Sequence, residues 1–257
     1  MKKIFIAIIT LASISIANAS MDECLKAGQN RDFDGTIEYC KEFANTSQVA
    51  LGFLGGAYAG KYKGLKAQEA LQDYINKYGQ NINNKYKDVT IGYYTSLGNY
   101  YYFGEDGAKK DIQKGLEYIT KGAELGNVIA QYQLGSFYGS NESSGVSKNF
   151  AQSYYWYIVS DINGANKLTS SYVYQNLDAF KKQLPYCIAQ GDQLVAQAYI
   201  NGNAGLSQDK YKAKKYLADA IALYKKEDKP SADELKFCPP QKGLDLKSAE
   251  KLLAGLK

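Results

Sequence analysis

The sequence predicts an all-α solenoid of stacked helical hairpins, and three observations support this fold class. A Leu-Gly-x-x-Tyr motif recurs along the chain, a glycine-rich turn and a second periodic stretch follow it, and no alternating strand pattern stands out. Apolar residues make up 45% of the 257 residues and charged residues 22%, so the chain can bury a core. Because one hairpin cannot bury its apolar face alone, we expect about five hairpins that stack on their neighbours.

The motif defines the first helix of each hairpin. Two regular copies open at Leu97 and Leu134, a third opens at Val195, and an earlier, degenerate copy opens at Leu54. The leucine and the tyrosine of a motif are four positions apart and therefore share one helix face. The glycine beside the leucine lets a second helix approach closely. Each motif therefore predicts a helix whose aromatic face packs inward.

The second helix of each hairpin begins where a capping residue is expected. Asp111, Asn149 and Asp209 precede periodic stretches, and their side chains are suited to accept hydrogen bonds from the first free N–H groups of a helix. A small residue and an aromatic residue three positions later, such as Ser153 and Trp156, complete the inward face. These residues and the motif tyrosines are assigned to core packing.

The copies resemble the Sel-one-like repeat, a relative of the tetratricopeptide repeat with the pattern A-x-x-x-L-G-x-x-Y-x-x-G-x-G-V-x-x-D-x-x-x-A-x-x-W. Residues 130–164 match best, and the resemblance covers roughly residues 45–225. Leu134 and Val195 are 61 residues apart, against 37 for the preceding pair of motifs. The extra segment in that interval predicts that the solenoid is interrupted or bent near residues 165–190.

The first residues predict a secretory signal peptide over residues 1–19. Two lysines precede an apolar run, and Ala17-Asn18-Ala19 is a small-x-small cleavage site. The strongly apolar run is shorter than the ~20 residues needed to span a bilayer, and an uncleaved anchor is the alternative. We expect an exported protein, periplasmic or alternatively secreted, with no integral membrane segment after signal removal. The solenoid is expected to occupy residues 20–224.

Four cysteines follow the predicted signal peptide: Cys24, Cys40, Cys187 and Cys238. An even number in an exported chain indicates two disulfides, and three pairings are possible. We favour the pairs Cys24–Cys40 and Cys187–Cys238, because each pair then joins segments that the repeats place close together. Free buried thiols are the alternative. The second pair predicts that residues 225–257 form a linker and a disulfide-tethered terminal helix.

Composition argues against several kinds of chemistry. The chain has no histidine and no Cys-x-x-Cys pair, so we expect no metal site, no cofactor and no histidine-dependent catalytic residues. A single arginine, Arg31, stands against thirty lysines, which argues against a nucleic-acid partner. Ser-x-x-Lys begins at Ser207 and Ser248, but the other motifs of penicillin-recognising enzymes are absent. A weak β-lactam-binding enzyme is therefore only a second alternative.

The resemblance to tetratricopeptide-type solenoids implies that the first helices line a concave face. The same motif positions in this chain are therefore expected to lie on the concave face and to bind another protein. They carry neutral polar and aromatic residues: Thr95, Asn99, Tyr102, Phe103, Tyr132, Ser136, Gln193, Gln197 and Asn201. The tyrosine clusters 100–102 and 154–157 add to this expectation, because consecutive helical residues cannot all face one side. The set suits an extended chain or a loop, and an ordinary solvated groove is the alternative.

The predicted function is a periplasmic protein-binding repeat scaffold. Its sharpest form is an immunity-type or inhibitor protein that holds a secreted toxin or an envelope enzyme. The alternative is a general envelope adaptor or a host-interaction factor. In both forms the partner is another protein, and the chain itself performs no catalysis.

Overall fold

The computed structural model describes residues 19–82, 84–140, 144–165, 184–226 and 229–256. The predicted signal peptide lies almost entirely outside these ranges. The helices of the described residues, in chain order, are α1 Met21–Gln29, α2 Phe33–Cys40, α3 Gln48–Gly60, α4 Gly64–Tyr78, α5 Lys87–Phe103, α6 Ile112–Glu124, α7 Val128–Gly139, α8 Phe150–Ser160, α9 Pro185–Asn201, α10 Lys210–Lys226, α11 Ala232–Phe237 and α12 Leu246–Gly255. No strand occurs in these ranges, and the all-α fold class is confirmed.

Within the described ranges five helical hairpins stack on one another, in agreement with the prediction of about five. The pairs are α1–α2, α3–α4, α5–α6, α7–α8 and α9–α10, and each second helix packs on the first helix of the next pair. Helix α12 packs on α10, and α11 contacts α9. The hairpins bury a nearly continuous series of apolar clusters between them, which is the packing expected of a helical solenoid.

Glycines of the repeat allow the two helices of a hairpin to touch. A Cβ at Gly98 of α5 would lie 2.8 Å from the backbone nitrogen of Ile119 on α6. A Cβ at Gly115 of α6 would lie 2.6 Å from the backbone nitrogen of Tyr102 on α5. The close approach of the two backbones offsets the poor helix propensity of glycine at these positions.

The predicted capping residues begin the second helices. The side chains of Asp111, Asn149 and Asp209 each accept a hydrogen bond at 3.0 Å from the backbone N–H three residues later. A cap of this kind contributes about 1 kcal/mol to helix stability. The starts of α6, α8 and α10 are therefore determined locally by the sequence.

Both favoured disulfides are present. Cys24–Cys40 joins α1 to α2, and Cys187–Cys238 joins the start of α9 to the residue that follows α11. All four cysteines are fully buried. The second disulfide holds the C-terminal segment against α9, where Gln193 Nε2 also donates to the carbonyl oxygen of Gly243 at 2.7 Å.

Hairpin α9–α10 enters the stack in the reverse direction. Ala151 and Cys187, near the starts of α8 and α9, share one apolar cluster. Beyond the other ends of these helices, Asn163 Nδ2 donates to the carbonyl oxygen of Ala204 at 2.8 Å. Helices α8 and α9 are therefore parallel, whereas the two helices of each hairpin are antiparallel. The change of direction falls at the predicted interruption, of which residues 166–183 lie outside the described ranges.

The reversal brings the turn after α9 against the turn between α6 and α7. A Cβ at Gly126 would lie 2.9 Å from the Cα of Gly205, and both glycines have positive φ angles. Gln131, which is fully buried, donates from Nε2 to the carbonyl oxygen of Ala204 at 2.9 Å. The reversed hairpin therefore packs on an earlier connection of the solenoid as well as on α8.

Candidate functional site

The first helices of the last four hairpins, α3, α5, α7 and α9, present an almost uncharged surface. Within α3, α5, α7 and α9 the only charged residues are Lys87, Asp88 and Asp192, and Asp192 is buried. By contrast, the second helix α10 alone contains six lysines. The surface formed by the first helices is therefore suited to a neutral ligand rather than a highly charged one.

Two neighbouring first helices expose large apolar side chains. Phe103 of α5 is 44% exposed, and Ile129 and Tyr132 of α7 are 53% and 39% exposed. Gln133 Nε2 donates to Asn99 Oδ1 at 2.9 Å and links the two helices. We call this surface the neutral strip and define it by Asn99, Phe103, Ile129, Tyr132 and Ser136. At 1.5 Å per residue, a strip along these helices is about 16 Å long.

On the side of α3 the surface has glycine, and therefore no side chain, at two positions. Gly56 occupies the motif position of Asn99 and Ser136, and a Cβ at Gly56 would meet nothing within 4 Å. The same is true of Gly92, which lies on the Asn99 face of α5. An extended segment seated on the neutral strip can therefore continue toward α3 without meeting side chains at these two positions.

Six of the nine predicted binding residues are at least partly exposed: Asn99, Phe103, Tyr132, Ser136, Gln197 and Asn201. The first four lie on the neutral strip. Gln197 and Asn201 belong to α9, which runs opposite to α5 and α7 because of the reversal. Their motif positions therefore do not continue the strip in register.

The other three predicted binding residues are buried, and the structure corrects their assignment. Thr95 faces Gly122 of α6 across a close helix contact. The hydroxyl of Tyr102 donates to the carbonyl oxygen of Ser144 at 3.0 Å. Gln193 binds the C-terminal segment instead of a partner. Each of these residues is covered by a neighbouring element that positional transfer along one helix does not reveal.

Ile129 is the residue of the neutral strip that the motif did not select. It lies three positions before Tyr132 and therefore on the same face of α7. A helical wheel of α7, which contains no charged residue, places both side chains together. The sequence therefore contained a signal for this residue, namely an isoleucine that shares a face with Tyr132 on a helix without charges.

A polar network behind the neutral strip connects consecutive hairpins. The hydroxyls of Tyr101 and Tyr118 each donate to Gln72 Oε1 at 3.0 Å. Lys114 Nζ donates to the hydroxyl of Tyr101 at 2.8 Å, and this hydrogen bond raises the pKa of Lys114. The network joins α4, α5 and α6, so it supports the part of the strip that lies on α5.

Burial keeps nearby tyrosines uncharged. It raises the pKa of Tyr93 and of Tyr100, and the adjacent carboxylates of Asp106 and Glu105 raise that of Tyr100 further. Both phenols therefore remain protonated well above neutral pH. The first-helix surface gains no charge from these two groups under physiological conditions.

The described residues contain no group of three or more histidine, cysteine, aspartate or glutamate side chains that could hold a metal ion. Among them, too, no helix is both long and apolar enough to cross a membrane.

Comparison with known families identifies the repeats. The family model of the Sel1 repeat matches residues 94–127, 128–158 and 193–224. The chain contains three Sel1 repeats. The three matched Sel1 repeats coincide with hairpins α5–α6, α7–α8 and α9–α10, so the resemblance stated from the motifs is confirmed. No curated protein sequence matches this chain.

Two solved structures resemble this protein. A Sel1 repeat protein from Oxalobacter formigenes is 17% identical, with 93% of this chain and 98% of that chain covered and a TM-score of 0.44. A protective antigen of uropathogenic Escherichia coli with an SLR fold is also 17% identical. The match covers 93% of this chain and 58% of the antigen's chain, with a TM-score of 0.30.

The Sel1 repeats indicate a general role. Sel1 repeats mediate protein–protein interaction, and Sel1 repeat proteins are generally non-catalytic scaffolds. The two buried disulfides are consistent with an exported protein, since such bonds form and persist in oxidising compartments.

Proposed function

We propose that this chain is an exported scaffold that binds another protein through the neutral strip. The observation that supports the proposal is the exposure of Phe103, Ile129 and Tyr132 on two linked helices of which α7 carries no charge. Exposed aromatic side chains are enriched at protein interfaces because they bury a large area with few rotatable bonds.

The partner segment is proposed to be uncharged and extended. The amide of Asn99 and the hydroxyl of Ser136 supply hydrogen bonds to a backbone, while the apolar side chains supply buried area. A strip of about 16 Å accommodates about five residues of extended chain at roughly 3.3 Å per residue. The recognised element is therefore a loop or a terminal segment of the partner.

The specific form of the proposal is an immunity-type or inhibitor protein in the periplasm. Its partner is a secreted toxin or an envelope enzyme, which the scaffold holds by covering part of its surface. The polar network that supports α5 favours this role, because a preorganised surface loses little entropy on binding. A general envelope adaptor would use the same surface but leave its partner active.

The test is capture of the partner by the processed chain, residues 20–257, from envelope and secreted fractions of the source cells. The paired substitution Phe103→Ala and Tyr132→Ala removes two exposed rings from the strip. Each truncation is expected to cost about 1.4 kcal/mol of binding energy, or about a hundredfold in affinity together. The control Tyr211→Ala removes a ring that is 81% exposed on α10.

Two results separate the forms of the proposal. A partner held by the wild type and by Tyr211→Ala but lost by the double variant supports binding through the strip, whereas equal recovery by all three overturns it. The captured partner is then assayed with and without the scaffold. Inhibition supports the immunity-type role, and unchanged activity supports the adaptor.

A further inference from the structure

Among the residues that the structure describes, a cleft on the side of the second helices is lined by two lysines and by no carboxylate. It lies between α6 and α8, with side chains of α7 as its floor, and the segment after α11 closes one side. Its volume is about 540 Å³, within the range of about 300–1,000 Å³ that is typical of small-molecule sites. It shares no residue with the neutral strip.

The two lysines are held by aromatic rings. Lys148 Nζ lies 4.9 Å from the ring centroid of Phe150 and 5.1 Å from that of Phe237. Lys236 Nζ also lies 5.1 Å from the centroid of Phe237. Within the described part of the chain, neither lysine forms an ion pair. Two lysines of the cleft lining therefore have their ammonium groups near the ring of Phe237, and neither has a carboxylate partner among the described residues.

The remainder of the lining is apolar or a neutral hydrogen-bonding group. Tyr138 and Trp156 provide aromatic surface, and Trp156 is 7% exposed. The side-chain amides of Gln152 and Gln241 supply neutral donors and acceptors. A ligand that fits this lining combines a negative charge with an apolar group.

The corresponding groove of the preceding hairpin shows that this charge pattern is not a general property of the repeat. That groove lies beside α4 and has a volume of about 270 Å³. Its lining includes the carboxylates of Glu69 and Asp73 together with Lys109. The groove beside α4 therefore carries charges of both signs, whereas the described lining of the cleft between α6 and α8 carries positive charge alone.

We propose that the cleft between α6 and α8 binds a carboxylate joined to an apolar group. The carboxylate lies between Lys148 and Lys236, and the apolar group packs against Tyr138 and Trp156. Two sources carry this chemistry, the C-terminal residue of a polypeptide and a free organic acid. The site is additional to the proposed docking on the neutral strip and does not depend on it.

The Cys187–Cys238 disulfide holds one side of this site in place. Lys236 and Gln241 lie on either side of Cys238, and both reach the cleft because Cys238 is bonded to α9. Reduction of this disulfide is therefore expected to weaken ligand binding even where the helices of the stack remain folded.

The test uses Trp156, the only tryptophan of the sequence, as a fluorescent reporter inside the cleft. The processed chain is titrated with N-acetyl-Gly-Gly-Phe, with the C-terminal amide of the same peptide, and with phenylpropionate. We expect a saturable change in fluorescence with the peptide acid and affinity at least about tenfold weaker with the amide, because the charge-assisted hydrogen bonds are lost. Calorimetry covers binding that leaves the fluorescence unchanged.

The variants Lys148→Gln and Lys236→Gln are each expected to weaken binding of the peptide acid by about tenfold. Lys109→Gln, in the groove beside α4, is the matched control and is expected to leave it unchanged. Thermal midpoints establish that all three variants are folded. Binding of the peptide acid alone identifies a polypeptide C-terminus as the source, and equal binding of phenylpropionate identifies free organic acids. Absence of saturable binding, equal affinity for acid and amide, or full affinity in Lys148→Gln overturns the proposal.

Discussion

Replacement of Tyr102 tests how α5 packs in the solenoid. The hydroxyl of Tyr102 donates to the carbonyl oxygen of Ser144, and its ring stacks on Phe137 with centroids 4.5 Å apart. Tyr102→Phe removes only the hydrogen bond, and Tyr102→Ala also removes the ring. The two substitutions therefore separate the contribution of the hydroxyl from that of the aromatic packing.

The expected magnitudes follow from burial. Ser144 is 4% exposed, so loss of the donor is expected to cost about 1 kcal/mol because a buried acceptor is left unpaired. Loss of the buried ring is expected to cost about 3–5 kcal/mol. For a chain of this size, about 4 kcal/mol corresponds to a fall of roughly 8–16 °C in Tm.

The assay is urea unfolding of the processed chain followed by circular dichroism, with Tyr211→Ala as the exposed control. That control is expected to change stability by no more than about 0.5 kcal/mol. If Tyr102→Ala were no more destabilising than Tyr211→Ala, the ring would lie in solvent. The helix face assigned to α5 would then be wrong, and Tyr102 would return to the candidates for partner binding.

Three further predictions concern stability. Replacing both cysteines of the Cys187–Cys238 pair with serine is expected to cost about 4 kcal/mol in urea unfolding, against about 3 kcal/mol for the shorter N-terminal loop. Equal losses would contradict the loop-length argument. Gly56→Ala is expected to raise Tm, because a Cβ meets open space there, whereas Gly98→Ala is expected to lower it. Burial, with Glu124 nearby, raises the pKa of Tyr155 to about 12 from its ordinary value of 10.0, so its contribution to stability is present below about pH 10 and lost as the pH rises toward about 12. Phenolate absorbance that appeared fully near pH 10 in the folded protein would contradict this.

The features that the sequence predicted correctly are those with local causes. The capping residues Asp111, Asn149 and Asp209 begin second helices because each cap involves a backbone group only three residues away. The Cys24–Cys40 disulfide forms within one hairpin, because its two cysteines lie in the adjacent helices α1 and α2. Periodicity and capping therefore sufficed to predict five hairpins and their order.

The features that were missed depend on residues far apart in the chain. The burial of Tyr102 depends on Ser144 of the following connection, and the burial of Gln193 depends on Gly243 of the C-terminal segment. The helical periodicity of a sequence does not indicate which neighbouring element covers a given position. The binding residues were assigned by analogy with the concave face of a related repeat, which assumes that all hairpins run in one direction. The parallel packing of α8 and α9 contradicts that assumption.

The cleft could not be predicted from the sequence, because its lining also comes from residues far apart in the chain. Lys148 precedes α8, whereas Lys236 belongs to the C-terminal segment, which the Cys187–Cys238 bond and the hydrogen bond from Gln193 to Gly243 hold in place. The sequence did predict a tethered C-terminal segment. It did not predict the surface of the stack against which that segment lies.

The reversed hairpin limits how this protein can change in length. In an ordinary array a unit can be duplicated or deleted at many points, since each unit touches only its neighbours. Here Gln131 and Ala204, together with the facing Gly126 and Gly205, join the turn before α7 to the turn after α9. A duplicated hairpin inserted in that interval would pull these turns apart. Gain or loss of repeats during evolution is therefore expected ahead of α5 and not between α6 and α9.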